Sequence, residues 1–146
     1  MPAVVDLLRR KGDLVHSIAP SDSVVAAATA MNRHGVGGLV VVDPEGQILG
    51  MFTERDVLRR VVAVGKDPAV TTVGSVMTTE VQVCRPDTTL NECAAVMTTK
   101  RIRHLPVQGP SGGLVGIVTI GDLLAQTVDE QRATIDYLTS FVYESR

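Results

Sequence analysis

Gly50-Met51-Phe52-Thr53-Glu54-Arg55-Asp56 returns 66 residues later as Gly116-Ile117-Val118-Thr119-Ile120-Gly121-Asp122. In each stretch a glycine leads an apolar pair, and Thr-x-x-Asp follows, so the pattern runs from a strand through a turn into a helix. The same shift of 66 lays Val15–Leu58 on Val81–Leu124 without a gap, and 12 of the 44 pairs are identical. Turn-forming residues are among them: Pro20/Pro86, Pro44/Pro110 and Gly46/Gly112. The chain is therefore two copies of one small unit.

Each copy has the same order of elements. A short lead-in strand, Leu14–Ile18 or Val81–Cys84, ends at a proline. A helix follows. Ser21 or Asp22 is its N-cap candidate in copy one; copy two offers Asp87 and the capping box Thr89-x-x-Glu92. Ala27, Ala30 and Met31, like Cys93, Val96 and Met97, give that helix an apolar face. A hairpin comes next, Leu39–Val42 and Ile48–Phe52 around Asp43-Pro44-Glu45-Gly46, which suits a type I turn. Copy two repeats it around Gly109-Pro110-Ser111-Gly112, and Pro106 marks its first strand as an edge. A second helix starts at Thr53 or Thr119.

One β-α-β-β-α unit of this size cannot bury a core alone. Two units packed through their sheets can, so the expected fold is α/β with pseudo-two-fold symmetry and a cleft on each side of the repeat interface. Residues 1–64 read as the first repeat with an N-terminal helix, 65–79 as a linker, 80–127 as the second repeat and 128–146 as a C-terminal helical extension.

Composition narrows the function classes. At 45% hydrophobic and 21% charged residues the chain is globular. Aromatics are 3%, too few for a base-stacking platform on single-stranded nucleic acid. A net charge of −2 gives no general attraction to nucleic acid or to anionic membranes, so an anion site must be a local basic cluster. No apolar run reaches membrane-span length, and the start, with Asp6 inside it, does not read as a signal peptide. Cys84 and Cys93 read as buried reduced thiols. A cytoplasmic protein is expected.

The Thr-x-x-Asp junction supports two compatible readings. It caps a helix, or its hydroxyl and N–H groups face a phosphate while the Asp accepts hydrogen bonds from a ribose diol. Lys100-Arg101-Ile102-Arg103-His104-Leu105-Pro106-Val107 tips the balance, because it sets Arg103 and His104 immediately before a buried strand. An arginine fork there suits phosphate. The matching stretch of copy one, Gly35-Val36-Gly37-Gly38, has no cation, so the two clefts are chemically unequal.

With these motifs in hand, the sequence resembles the CBS-domain-pair (Bateman module) family from about Val5 to Val128. The double Gly-h-h-Thr-x-x-Asp motif carries the likeness, with Val73-Gly74-Ser75-Val76-Met77-Thr78 and Arg101-Ile102-Arg103-His104-Leu105-Pro106-Val107. The wording around Thr53 and Ile120 is similar to small stand-alone two-repeat proteins. The resemblance implies a ligand of the AMP, ADP, ATP, NAD(H) or S-adenosylmethionine class, a role in sensing energy or redox state, and dimerisation. By the family pattern, Met51, Thr53, Arg55 and Asp56 face Val81, Gln82, Arg103, His104 and Pro106 in a first site. A second, weaker site joins Ile117, Thr119 and Asp122 with Val15, His16, Gly37 and Gly38.

His16 and His34 have no partner at metal-ligand spacing. No nucleophile has a recognisable base, and there is no Walker or Rossmann fingerprint, so catalysis is not expected. Leu124, Val128, Ile135, Leu138 and Val142, widened by Tyr137 and Phe141, continue an apolar stripe past the second repeat to Tyr143. That helix either folds back on its own domain or makes homodimer or partner contacts. Three functions follow from the whole reading: a regulatory nucleotide-binding module acting through a partner or the dimer, a structural dimerisation unit without a physiological ligand, or a nucleotide-processing enzyme.

Overall fold

The computed structural model describes residues 2–144. Met1, Ser145 and Arg146, which end the first and last of the units drawn from sequence, lie outside the described residues. Helix α1 spans Val4–Lys11 and α2 Val24–His34; strands β1, β2 and β3 span Ser17–Ile18, Gly38–Val42 and Ile48–Thr53. Helix α3, Glu54–Asp56, runs on as a π-helical stretch, Val57–Val62. Helix α4 is Val73–Val76, α5 is Leu90–Lys100, β4 is His104–Gln108, β5 is Leu114–Thr119 and α6 is Ile120–Glu144.

In repeat one β1 pairs parallel to β2, and β2 antiparallel to β3. Repeat two keeps the β4–β5 hairpin, with Leu105 opposite Val118 where Leu39 faces Phe52. Its lead-in strand does not form. Val81–Val83 are irregular and only Cys84 bridges Val107. The cause is Pro106. The matching Val40 donates its N–H to the His16 carbonyl at 3.3 Å, a bond that proline cannot make. The edge read from Pro106 is thus real, with a single bridge surviving beyond it. In repeat one the strand is likewise shorter than Leu14–Ile18.

The turns form as read. Gly46 N–H donates to the Asp43 carbonyl at 3.0 Å, and Gly112 N–H to that of Gly109 at 3.0 Å. Helix α5 starts on the expected box, Thr89 Oγ1 accepting from Glu92 N at 3.1 Å. Helix α2 starts one step later than Ser21 or Asp22: Ser23 Oγ accepts from Ala26 N at 3.0 Å. Asp22 instead accepts from Ala19 N and holds the preceding turn.

Two hydrophobic clusters form, and each is closed by a helix that precedes the other repeat. Val73 and Val76 of α4 lie in the cluster of Val24, Leu39, Phe52 and Val61. Val4 and Leu7 of α1 lie in that of Cys93, Leu105, Val107 and Val118. So α1, contiguous with repeat one, packs on repeat two. The backbone bonds mirror one another: Val73 N–H to Asp22 O and Val4 N–H to Thr88 O, both 2.8 Å. The motif glycines allow this approach. A Cβ on Gly50 would lie 2.7 Å from the Thr78 carbonyl, and one on Gly116 2.8 Å from Leu8 Cδ1.

Matched positions of the two repeats also meet each other, as a two-fold axis requires. Gln47 bridges Gly113, its own counterpart, and a Cβ on Gly38 would lie 3.4 Å from Cε1 of its counterpart His104. Helix α6 does not fold back. Every described side chain from Thr127 to Val142 is exposed, with Ile135 at 60% and Phe141 at 63%. No helix among the described residues is long and apolar enough to cross a membrane.

Candidate functional site

Thr53 ends β3 and caps α3. Its Oγ1 accepts from Asp56 N at 3.4 Å while Asp56 Oδ2 accepts from Thr53 N at 3.0 Å. This reciprocal box holds the Asp56 carboxylate at the strand-to-helix junction, where the residue is only 6% exposed. Its second oxygen, Oδ1, accepts from Thr78 Oγ1 at 3.2 Å and lies 3.6 Å from Arg60 Nε. Thr78 is there because the segment after α4 adds to the edge of β3. Thr78 and Met51 exchange both backbone bonds at 2.9 Å.

A cavity of about 550 Å³ opens from this junction. Met51, Thr53, Arg55 and Asp56 of repeat one line it, and so do Val81 and Gln82. Arg103 and His104, at the start of β4, complete the group read from sequence. Pro106 does not belong: it is fully buried within β4. Side chains that the sequence reading did not assign also line the cavity, namely Glu54, Thr78, Glu80, Lys100, Arg101, Ile102 and Ile120. Lys100 and Arg101 stood in the basic run already noted. Glu80 carried no local signal, and Thr78 stood in the Val73–Thr78 motif without a place in the cavity, because the position of both depends on α4 docking against the far repeat.

Charges of both signs line the cavity: Glu54, Asp56 and Glu80 supply carboxylates, and Arg55, Lys100, Arg101 and Arg103 supply cations. Burial pushes the pKa of His104 below the ordinary imidazole value; Glu54 opposes this and Arg103 adds to it. His104 is therefore a neutral hydrogen-bonding group at pH 7 and becomes a cation only in more acid solution.

The second constellation is not assembled. Thr119 and Asp122 form the same box, with Asp122 Oδ2 accepting from Thr119 N at 2.9 Å. But Lys11, the last residue of α1, places Nζ 2.6 Å from Asp122 Oδ2 and 2.8 Å from the Ile117 carbonyl. The carboxylate that was to meet a ribose meets an ammonium instead. Gly37 lies on the first cavity, and Gly38 sits against Met51, Thr53 and His104. Thr119 also lines the first cavity. His16 stacks on His34, ring centroids 3.8 Å apart.

Both cysteines are free and buried, as read. A hydrogen bond shared with Cys93, together with burial, pushes the Cys84 thiol up. Among the described residues no group of three or more His, Cys, Asp or Glu is placed to hold a metal ion.

The sequence pattern of the CBS domain matches residues 4–63 and again 73–129. The chain belongs to the CBS domain family. This CBS pair is 34% identical over 147 residues to CBS domain-containing protein CBSX3, mitochondrial, of Arabidopsis thaliana, a match spanning 95% of this chain and 71% of that protein. Its fold resembles the solved structure of CBSX2 in complex with AMP, with a TM-score of 0.74 at 26% identity, covering 90% of this chain and 99% of that one. It also resembles a CBS domain pair in complex with 5′-methylthioadenosine and S-adenosyl-L-methionine, with a TM-score of 0.77 at 26% identity, covering 89% and 98%. Both CBS repeats are present, and their contribution to the cavity is unequal.

Proposed function

We propose that this CBS pair is a regulatory, non-catalytic module that binds one adenosine nucleotide in the cavity between its repeats. One observation carries the reading: Asp56 and Thr53 of one repeat share a cavity of about 550 Å³ with Arg103 and His104 of the other. A carboxylate at one wall suits the ribose diol, and an arginine with an imidazole beyond it suits the phosphate. Two structural relatives bind adenosine compounds, AMP in one and S-adenosyl-L-methionine with 5′-methylthioadenosine in the other. AMP is the ligand we favour, since the four cationic side chains of the cavity have no use in binding the uncharged 5′ group of methylthioadenosine. ATP, NAD(H) and S-adenosylmethionine form the comparison set.

Asp56 is engaged before any ligand arrives, and the weakest of its contacts is Arg60, half exposed at 3.6 Å. A ribose hydroxyl that replaces that contact costs little, because an ion pair with an exposed partner contributes at most about 1 kcal/mol. Calorimetric titration with AMP, ATP, NADH and S-adenosylmethionine tests the reading. Saturable binding of AMP with the tightest affinity supports it. Absence of heat and of thermal shift with all four would leave a structural dimerisation unit.

The output in this reading is a change in dimer geometry or in a partner's affinity as nucleotide levels vary. Homodimerisation through α6 is supported by its uncovered apolar residues, Leu124, Ile135, Leu138 and Phe141. Light scattering on the full chain and on a chain ending after Thr127 checks it. A full-length monomer at micromolar concentration would end the dimer reading. A cytoplasmic location belongs to the same reading. Two free buried thiols suit a reducing compartment, while the Arabidopsis relative is by its name mitochondrial.

A further inference from the structure

The two long helices end in the same way on different residues. Helix α2 stops at Gly35, with φ 64° and ψ 35°, and Gly35 N–H bonds the Met31 carbonyl. Helix α5 stops at the matching position, Arg101, with φ 55° and ψ 47°, and Arg101 N–H bonds the Met97 carbonyl. A left-handed cap residue is ordinarily glycine, sometimes asparagine, because a longer L side chain crowds its own backbone there. Among the described residues, Arg101 is the one non-glycine residue with a positive φ.

The left-handed residue closes the helix end with backbone bonds, but glycine would make the same bonds, and among the described residues no contact of the Arg101 side chain offsets the strain. The Arg101 side chain is exposed. It makes no hydrogen bond or ion pair with the described residues, although Lys11, Arg10 and Arg60 all do. A cation near a helix C-terminus is favourable, but Lys100 in the last turn of α5 already supplies one. What Arg101 does border is the cavity, beside Lys100 and Arg103. Backbone strain that persists without an internal partner points to a function outside the chain.

We propose that Arg101 is a phosphate-binding, specificity-determining residue of the cavity, kept in a strained cap so that its guanidinium meets the phosphate group of the ligand. The inference rests on the reading of the cavity as an adenosine-nucleotide site. It adds a selectivity: phosphorylated adenosine compounds are favoured over adenosine by a residue for which repeat one has only glycine.

The test is Arg101→Gly, with Arg101→Asn as a second neutral cap, titrated with AMP, adenosine and inorganic tripolyphosphate. Both variants suit the left-handed backbone, so both fold. Arg101→Gly melts about 2–4 °C above the parent, as relief of one strained residue predicts for a chain of this size. AMP affinity falls roughly tenfold in both variants, in line with loss of one charge-assisted contact at an open cavity. Adenosine affinity stays within about twofold, below what loss of any such contact gives. AMP binding at parent affinity in both variants overturns the assignment while leaving the nucleotide site intact. An equal loss for AMP and adenosine also overturns it, since Arg101 then supports the site and not the phosphate. A parent that binds tripolyphosphate but no adenosine compound, with tripolyphosphate binding lost in the variants, keeps Arg101 as an anion ligand and ends the adenosine reading. A parent that binds none of the three probes ends both.

Discussion

Replacing Asp56 separates its two duties, holding the junction and meeting a ligand. Asp56→Ala removes the acceptor for Thr53 N–H, half of a capping box, at a cost of about 1 kcal/mol. It strips the part-buried Thr78 hydroxyl of its acceptor, about 1 kcal/mol more. The Arg60 contact, half exposed, adds at most about 0.5 kcal/mol once solvent screening is allowed for. The sum is about 2–2.5 kcal/mol, or a fall in Tm of roughly 4–10 °C for a chain of this length. Asp56→Asn is milder. Its amide oxygen still accepts from Thr53 N–H, and its NH₂ donates to Thr78 Oγ1, so stability falls by less than about 1 kcal/mol. Binding discriminates in the other direction. A ribose hydroxyl donating to a carboxylate is worth about 1–2 kcal/mol more than one donating to a neutral amide, so Asp56→Asn weakens AMP roughly 5–30-fold. The assay is calorimetry with AMP and with 2′-deoxy-AMP on both proteins. The parent prefers AMP, and the preference collapses in Asp56→Asn. A folded Asp56→Asn protein that binds AMP at parent affinity, or a parent indifferent to the 2′ hydroxyl, would refute the ribose assignment and leave Asp56 as a cap.

His104 predicts a pH dependence. Its pKa lies below the ordinary value of about 6.5, and a bound phosphate favours the imidazolium, so AMP affinity rises as pH drops from 7.5 toward 5.5 by more in the parent than in His104→Gln. The ratio of the two proteins cancels titration of AMP itself, and a constant ratio would exclude His104 from phosphate contact. The free protein moves oppositely: stability contributed by the neutral, buried His104 is fully present above about pH 6.5 and is lost as pH falls through the depressed pKa. Because Lys11 occupies Asp122, AMP binds with a stoichiometry of one per chain, and Lys11→Ala lowers stability by about 1 kcal/mol with AMP affinity unchanged; two equal sites in the parent refute this. Gly50→Ala destabilises by about 2–3 kcal/mol and Gly116→Ala by about 1 kcal/mol, because the first Cβ meets the Thr78 backbone carbonyl and the second only the flexible end of Leu8. Equal Tm losses for the two variants would show that the exchanged helices are not packed this tightly.

Much of the fold was legible because the two copies read each other. Each hairpin and its turn, and the Thr-x-x-Asp box, has a counterpart at a shift of 66, and local chemistry such as Thr89 with Glu92 decides a helix start without tertiary help. What failed locally failed for identifiable reasons. The Val81–Cys84 strand reads as apolar and β-prone, yet its partner residue is a proline. The cap of α2 moved to Ser23 because three hydrogen-bonding side chains stand in a row at Ser21, Asp22 and Ser23, and propensity does not rank them. The exchange of α1 and α4 is invisible in sequence. Their apolar residues say that they pack, not on which repeat. The grouping of Thr53, Asp56, Arg103 and His104 around one cavity was legible because strand ends and helix starts fix where side chains point.

The residues expected in the second site are not gathered although its motif is intact, and the reason lies in one turn of helix. Helices α4 and α1 occupy matching places, but α4 ends at Val76 and α1 continues to Lys11. After α4 the chain is extended. Thr78 bridges Met51 and gives its hydroxyl to Asp56, and Glu80 then reaches the cavity rim. At the matching place α1 is still helical, so no bridge to Ile117 forms, and the Ile117 carbonyl and Asp122 both face the Lys11 ammonium. A ligand there would have to break a contact of 2.6 Å whose partners are each at most one-quarter exposed, a much stronger one than the half-exposed Arg60 contact at Asp56. The missing cation at Gly37 and Gly38 suggested inequality in the phosphate half of the second site. The structure puts the larger inequality in its ribose half, and the residue responsible, Lys11, stands outside the stretch Val15–Leu58 over which the two copies align.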